Sequence, residues 1–273
     1  MMGKVERHRA DLDPLLIDFL ATEDGQPICE YLEQNSNLPG RRVNLELARA
    51  FGDVVADAAS ANPDQMWSLC RRLTEIPAGE AGVDQPALFL SFCGAEAIGA
   101  IGAVRSDYTE RSLMHLRSLA RDPRWRIREA VSSGLTRLLQ TWPDSALEAL
   151  ELWVADGDFL EMRAAAAAVA DPPLLHDEAV ATRGLALQQS ILDQVMHAPV
   201  EARKSEPFKI LRKGMGFALS VVVCAVPEAG FSLLQSMVEV DDRDVLWILR
   251  QNLKKKRLSR LAPAEVEALS RRL

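Results

Sequence analysis

The residues best able to do chemistry in this chain are cations set beside aromatics or packed into short runs. Lys254-Lys255-Lys256-Arg257, followed by Arg260, concentrates positive potential in a way that suits phosphate or an acidic partner. The run also ends an apolar helical stretch, where cations favour the negative end of the helix dipole, so a structural explanation stands beside the functional one. Arg124-Trp125-Arg126, with Arg121 close by, offers cations around an indole, as in phosphate or base contacts. Trp125 also falls where a core residue is due, and Arg126 points away from that apolar stripe toward solvent. Arg41-Arg42, after Leu38-Pro39-Gly40, reads as the opening of a helix over 43–60.

Other reactive types lack a partner at a useful spacing. His8, His115, His176 and His197 have neither metal-ligand spacing nor HExxH, so no metal site is expected. Lys213-Gly-Met-Gly216 lacks the strand and the Gly-Lys-Ser/Thr that cradle phosphates; it reads as helix-packing glycine. Cys29, Cys70, Cys93 and Cys224 stand alone in apolar helical contexts, as buried small hydrophobes do, and fit a reducing cytoplasm. No local signature of Ser–His–Asp or Cys–His chemistry appears, and no cofactor is expected.

Composition frames what these residues sit on. The chain has 273 residues, 48% hydrophobic and 26% charged, which excludes a disordered chain and a disulfide-stapled miniature. Aromatic content is only 5%, with Ala, Leu, Arg and Glu abundant, so helices are favoured over sandwiches and barrels. Net charge is −7, which argues against a dedicated nucleic-acid binder, but the average conceals an asymmetry. Residues 1–202 hold 18 basic and 31 acidic groups, whereas 203–273 hold 14 and 8. The start, MMGKVERHRADLD, lacks the apolar run of a signal peptide, so a cytoplasmic location is expected. The apolar stretch 86–104 carries Glu96 at its middle and reads as a buried helix rather than a membrane span.

Helical periodicity runs throughout, with breaks at Pro, Gly and Asn. It predicts helices near 12–21, 26–35, 43–60, 63–75, 85–104, 109–120, 123–140, 144–155, 158–169, 178–197, 206–224, 227–238, 242–254 and 263–272. Asn62-Pro63, Asp122-Pro123 and Ala262-Pro263 mark three starts, with Pro where the first N–H is unpaired anyway.

Three stretches align on an arginine: 122–131 on Arg128, 157–166 on Arg163, and 244–253 on Arg250. A large apolar residue (Trp125, Leu160, Trp247) lies three before it, and Ile127, Met162 or Leu249 lies one before it. A helix ends just upstream each time, giving a unit of helix, tight acidic turn, helix. Stacking such hairpins buries the face that one alone leaves exposed. Ile127, Val131, Leu135 and Leu138 form the stripe, and Arg128 beside it is placed to reach the acidic turn of its own or a neighbouring unit; Asp122, Arg128, Arg163 and Arg250 make up this structural ladder.

DPRWRIREAV and its echoes resemble HEAT repeats, especially the type in phycobilisome-lyase-related, armadillo-like proteins. LPGRRVNLELARAF and WILRQNLKKKRL are further similar to a bacterial HEAT-repeat group, a likeness that supplies no activity. The resemblance implies an all-α fold, an α-α superhelix (solenoid) of HEAT-like hairpins. On it, residues 1–273 form a single elongated domain with its clearest repeats at 109–140, 144–170 and 227–260. The expected function is a non-enzymatic interaction scaffold holding a protein or peptide on its concave face, with no membrane contact. The alternative is nucleic-acid binding through the basic C-terminal third, with or without base-excision chemistry. Bacterial alkylpurine DNA glycosylases, which use a carboxylate beside aromatics, have distantly similar architecture. Trp153 near Asp156 and Asp158, and Trp125 near Asp122, supply such ingredients here. Residues 105–163, however, hold 9 basic and 10 acidic groups, no excess for phosphate, and the Asp residues read better as caps and turns.

Overall fold

The computed structural model describes residues 3–273. Their contacts gather into two compact units, Met1–Trp142 and Pro143–Leu273, divided inside the span that the repeat pattern reads as continuous. The first unit holds α1 (Lys4–Thr22), α2 (Gln26–Gln34), α3 (Leu45–Ala59), α4 (Pro63–Thr74), α5 (Leu88–Val104), α6 (Ser106–Leu119) and α7 (Trp125–Thr141). The second holds α8 (Pro143–Asp156), α9 (Phe159–Ala168), α10 (Glu178–His197), α11 (Glu206–Ala225), α12 (Pro227–Val238), α13 (Arg243–Leu253), α14 (Lys256–Leu261) and α15 (Pro263–Ser270). Among the described residues there is no strand, and the fold is all-α.

Within each unit, helices pack on their sequence neighbours and on the helix two further along. In the first, α1 meets α3, α3 meets α5 and α5 meets α7; in the second, α9 meets α11 and α11 meets α13. This is the layering of helical-repeat folds, in which one helix of each hairpin joins a shared layer and so buries its apolar stripe. The three aligned hairpins are α6/α7, α8/α9 and α12/α13, each pair in contact across its short turn. Ile127, Val131, Leu135 and Leu138 are all fully buried. Asn44, Asp158, Asp177, Ser205 and Asp242 cap helices by accepting backbone N–H groups with their side chains.

Helix α5 is buried all round from Leu88 to Gly102, Glu96 included. Its small residues let neighbours approach closely: a Cβ at Gly99 would collide with the carbonyl of Gly134 on α7. Among the described residues, no helix is long and apolar enough to cross a membrane.

Among the boundaries that differ from the sequence expectation, three have a local cause. Helix α1 begins at Lys4, well before residue 12, and carries Pro14 inside it; its charged first turns hid the periodicity. Helix α7 begins at Trp125 rather than Pro123, because the Asp122 carboxylate binds Arg124 and leaves Pro123 in the turn. The run after Leu253 is not a helix end alone: Lys255 is extended, and α14 starts at Lys256.

Candidate functional site

The two cationic candidates meet opposite fates. In the first unit, Arg124 and Arg126 are only 5% and 4% exposed. Arg124 grips the Asp122 carboxylate through Nε at 2.9 Å and a terminal nitrogen at 2.7 Å, and donates to the Ala81 carbonyl at 3.3 Å. Arg126 donates to the carbonyls of Gly40 (2.7 Å), Val83 (2.8 Å) and Arg41 (3.4 Å), and pairs with Asp84 at 3.1 Å. The expectation that Arg126 faces solvent is therefore corrected: its fork ties two loops, near residues 40 and 83, to the start of α7. The core slot assigned to Trp125 is corrected as well, since that indole is 47% exposed, with the Arg126 guanidinium 4.5 Å from its ring centre. Trp125 lies two residues before Ile127, about 200° round the helix from the buried stripe, so helical phase turns it outward where the repeat alignment placed it inside.

The ladder arginines divide. Arg128 is buried and donates to the carbonyls of Asp122 (2.6 Å) and Pro123 (3.0 Å), so it reaches its own turn by backbone acceptors. Arg163 is half-buried and its stem lies where a side chain at Gly214 would touch it. Arg250 is exposed and donates to the carbonyl of Leu273, not to an acidic turn. The arginines that satisfy the α12–α13 turn are Arg203 and Arg212, which sequence alignment passed over because they lie on the preceding structural layer. Arg203 pairs with Asp242 (2.7 Å) and Asp244 (3.2 Å), and Arg212 with Asp244 (2.5 Å). Burial pushes the Asp242 carboxyl up, but the Val245 and Asp244 N–H groups and Arg203 outweigh it and hold the group below its ordinary range.

The carboxylates near tryptophans are structural. Asp158 accepts from the Leu160 and Glu161 N–H groups as the cap of α9, and Trp153 is buried. Asp156 has interaction partners of its own.

The C-terminal cations face outward and converge with residues that sequence reasoning had not joined to them. Lys209, Arg212, Lys213, Gly216, Phe217, Trp247, Gln251 and Lys255 line a groove of about 520 Å³ between α11 and α13, with no carboxylate in its wall. Gly216 opens it, because a side chain there would press on Trp247 and Gln251. Both aromatics carry cations: Arg212 lies 4.7 Å from the Trp247 ring centre, and Arg257 and Lys255 lie 4.5 and 5.4 Å from that of Phe217. Phe217 is nonetheless 51% exposed. Lys209 is paired with Glu206 and Arg212 with Asp244, whereas among the described residues Lys213, Lys254, Lys255, Lys256 and Arg257 form no ion pair. The helix-dipole explanation covers Lys254 at the end of α13 but fails for Lys256 and Arg257. These open α14, whose first turn has no acidic residue, and cations are unfavourable at a helix start. The signal that could have found the groove is the heptad-like spacing of Lys209, Arg212, Lys213, Gly216 and Phe217 along one face of α11.

No family model matches the chain, and no curated protein sequence matches it. Among solved structures it is similar to a designed armadillo repeat protein, at 14% identity and TM-score 0.30, over 82% of this chain and 98% of that one. It is also similar to the crystal structure of an engineered protein, at 14% identity and TM-score 0.32, over 87% of this chain and 97% of that one.

Proposed function

We propose that this helical-repeat protein is a non-enzymatic scaffold that binds an acidic protein or peptide segment in the groove between α11 and α13. The observation that carries this reading is that Lys213, Lys255 and Arg257 have no ion-pair partner among the described residues, with Lys255 and Arg257 held on Phe217 and the Asp244-paired Arg212 on Trp247. Unpaired charge beside an aromatic platform adds little to folding but raises both encounter rate and contact energy for an anionic partner. Arg212 is aimed by Asp244, and Arg257 and Lys255 rest on Phe217, so part of the ordering cost of these side chains is met before a partner arrives.

A nucleic-acid strand is the second reading, favoured by the same row of cations. It fits less well because single-strand binders use bare aromatic faces for base stacking, and here both aromatics already carry cations. The test is selection from a display library of random peptides on the whole chain, beside titration with a labelled oligothymidylate at about 50 and 200 mM salt. Enrichment of Asp- and Glu-rich peptides, lost in the Lys213→Gln, Lys255→Gln double variant, is expected. Salt-sensitive oligonucleotide binding without acidic-peptide enrichment would overturn the proposal in favour of the second reading.

A further inference from the structure

A further groove lies on the other side of Phe217. It measures about 690 Å³ and is lined by Ala170, Pro172, Leu175, His176, Phe217, Val221, Cys224, Ala225 and Arg257. Apart from His176 and Arg257 its wall is apolar or thiol. Cys224 adds no acid–base chemistry, because burial pushes its thiol up and keeps it protonated. Phe217 lines both grooves, and the cations resting on its ring divide between them: Lys255 lines the first and Arg257 the second. A single short segment crossing Phe217 therefore meets an apolar trough on one side and a cationic trough on the other.

Resting on the scaffold reading above, we propose that the partner segment is a bipartite peptide: one large apolar anchor residue seated among Leu175, Val221 and Ala225, with Asp or Glu residues a few positions away across Phe217. Charge complementarity selects the acidic half, because no carboxylate lines either groove and Lys213, Lys255 and Arg257 have no carboxylate partner among the described residues. The apolar half is selected by the aliphatic wall, which offers a nucleobase little flat surface to stack on but suits a Leu, Ile or Phe side chain. Arg257 borders the apolar trough and so marks where the chain turns from anchor to acid. Specificity arises from the pairing: an acidic segment without an anchor leaves the aliphatic wall wet, and an apolar segment without acids leaves the cations unmatched.

The experiment reads the sequences recovered from the same peptide library on the whole chain and on three variants. On the natural chain, acidic peptides are expected to carry an apolar residue at a recurrent offset from the acids. Replacing that residue by Ser in a recovered peptide should weaken binding about tenfold or more. Ala225→Trp, which fills the apolar trough, is expected to abolish the apolar preference while acidic enrichment persists. Ala170→Met, from a different segment of the wall, serves the same end if the first variant melts early by circular dichroism. Phe217→Ala, at an exposed position, should weaken both preferences. Acidic peptides recovered without any apolar preference would overturn the bipartite reading and leave the scaffold proposal standing. Absence of acidic enrichment would overturn both. Concentration-dependent self-association abolished by Phe217→Ala would instead assign the troughs to a second copy of this chain.

Discussion

Arg124-Trp125-Arg126 in the first unit and the run from Lys254 to Arg257 in the other share one appearance in the sequence, that of a basic cluster at a helix boundary. Around Arg124 and Arg126, the guanidiniums turn inward and bind carbonyls and Asp122; around Arg257, the cations rest on Phe217 and have no carboxylate partner among the described residues. The difference lies in what the neighbouring loops present. The 38–43 and 77–87 loops leave carbonyls without helical partners, and Arg126 supplies donors to three of them. Among the described residues, the side chains of Lys254, Lys255 and Lys256 make no hydrogen bond or ion pair. A basic run thus becomes a staple where its side chains find backbone acceptors, and stays a patch without counter-charges where they do not.

The sharpest way to break this contrast is Arg126→Met. It strands part-buried carbonyls and leaves Asp84 without its partner, and a loss of about 2 kcal/mol in urea unfolding is expected, with protection of the 38–43 loop lost first. If the variant stays within about 0.5 kcal/mol of the natural chain, the stapling role is wrong. The next effect concerns acid response, where the two units carry opposite signs. Glu96 is held above its ordinary 4.5 by burial, with Arg137 only partly opposing at 3.1 Å. The folded state therefore binds that proton more tightly than the unfolded chain, and its contribution to stability falls as pH rises from 4.5 through the raised value. Glu96→Gln should gain on the natural chain across that window, as a urea midpoint followed from about pH 3 to 8 would show. Asp242 is held below its ordinary 3.8, so its contribution is present above 3.8 and lost as pH falls through the lowered value. Asp242→Asn keeps a capping oxygen but removes the charge that Arg203 pairs with, and should lose about 1 kcal/mol at neutral pH, with the deficit closing in acid. The smallest effect belongs to the outward cations: Lys254→Ser with Lys256→Ser should shift stability by less than about 0.5 kcal/mol. It should nonetheless lower affinity for acidic peptides by weakening the surrounding potential.

Among the described residues, sequence periodicity locates fourteen of the fifteen α-helices because apolar spacing and Pro or Asn starts are local signals. It missed α14, six residues long, because one buried leucine, Leu258, is too few to show a period. The site was half legible. The lysine run is visible as charge, but Phe217 and Trp247 join it only through the packing of α11 on α13, a contact between residues far apart in sequence. Arg126 was misread for a related reason: the carbonyls at Gly40 and Val83 that claim it lie on distant loops, and no window around Arg126 contains them.

The all-round burial of α5 bears on how the first unit comes apart. In an array whose repeats touch only their nearest neighbours, the ends can fray while the middle stays closed. Helix α5 instead contacts α2, α3, α4, α6 and α7 together. Exposing any one of these lays bare part of the same apolar cylinder, so partial opening is penalised and the unit loosens as a single cooperative block. The amides of α5 should then exchange with solvent slowest in this unit and at one common rate, the unit's own clock for global opening.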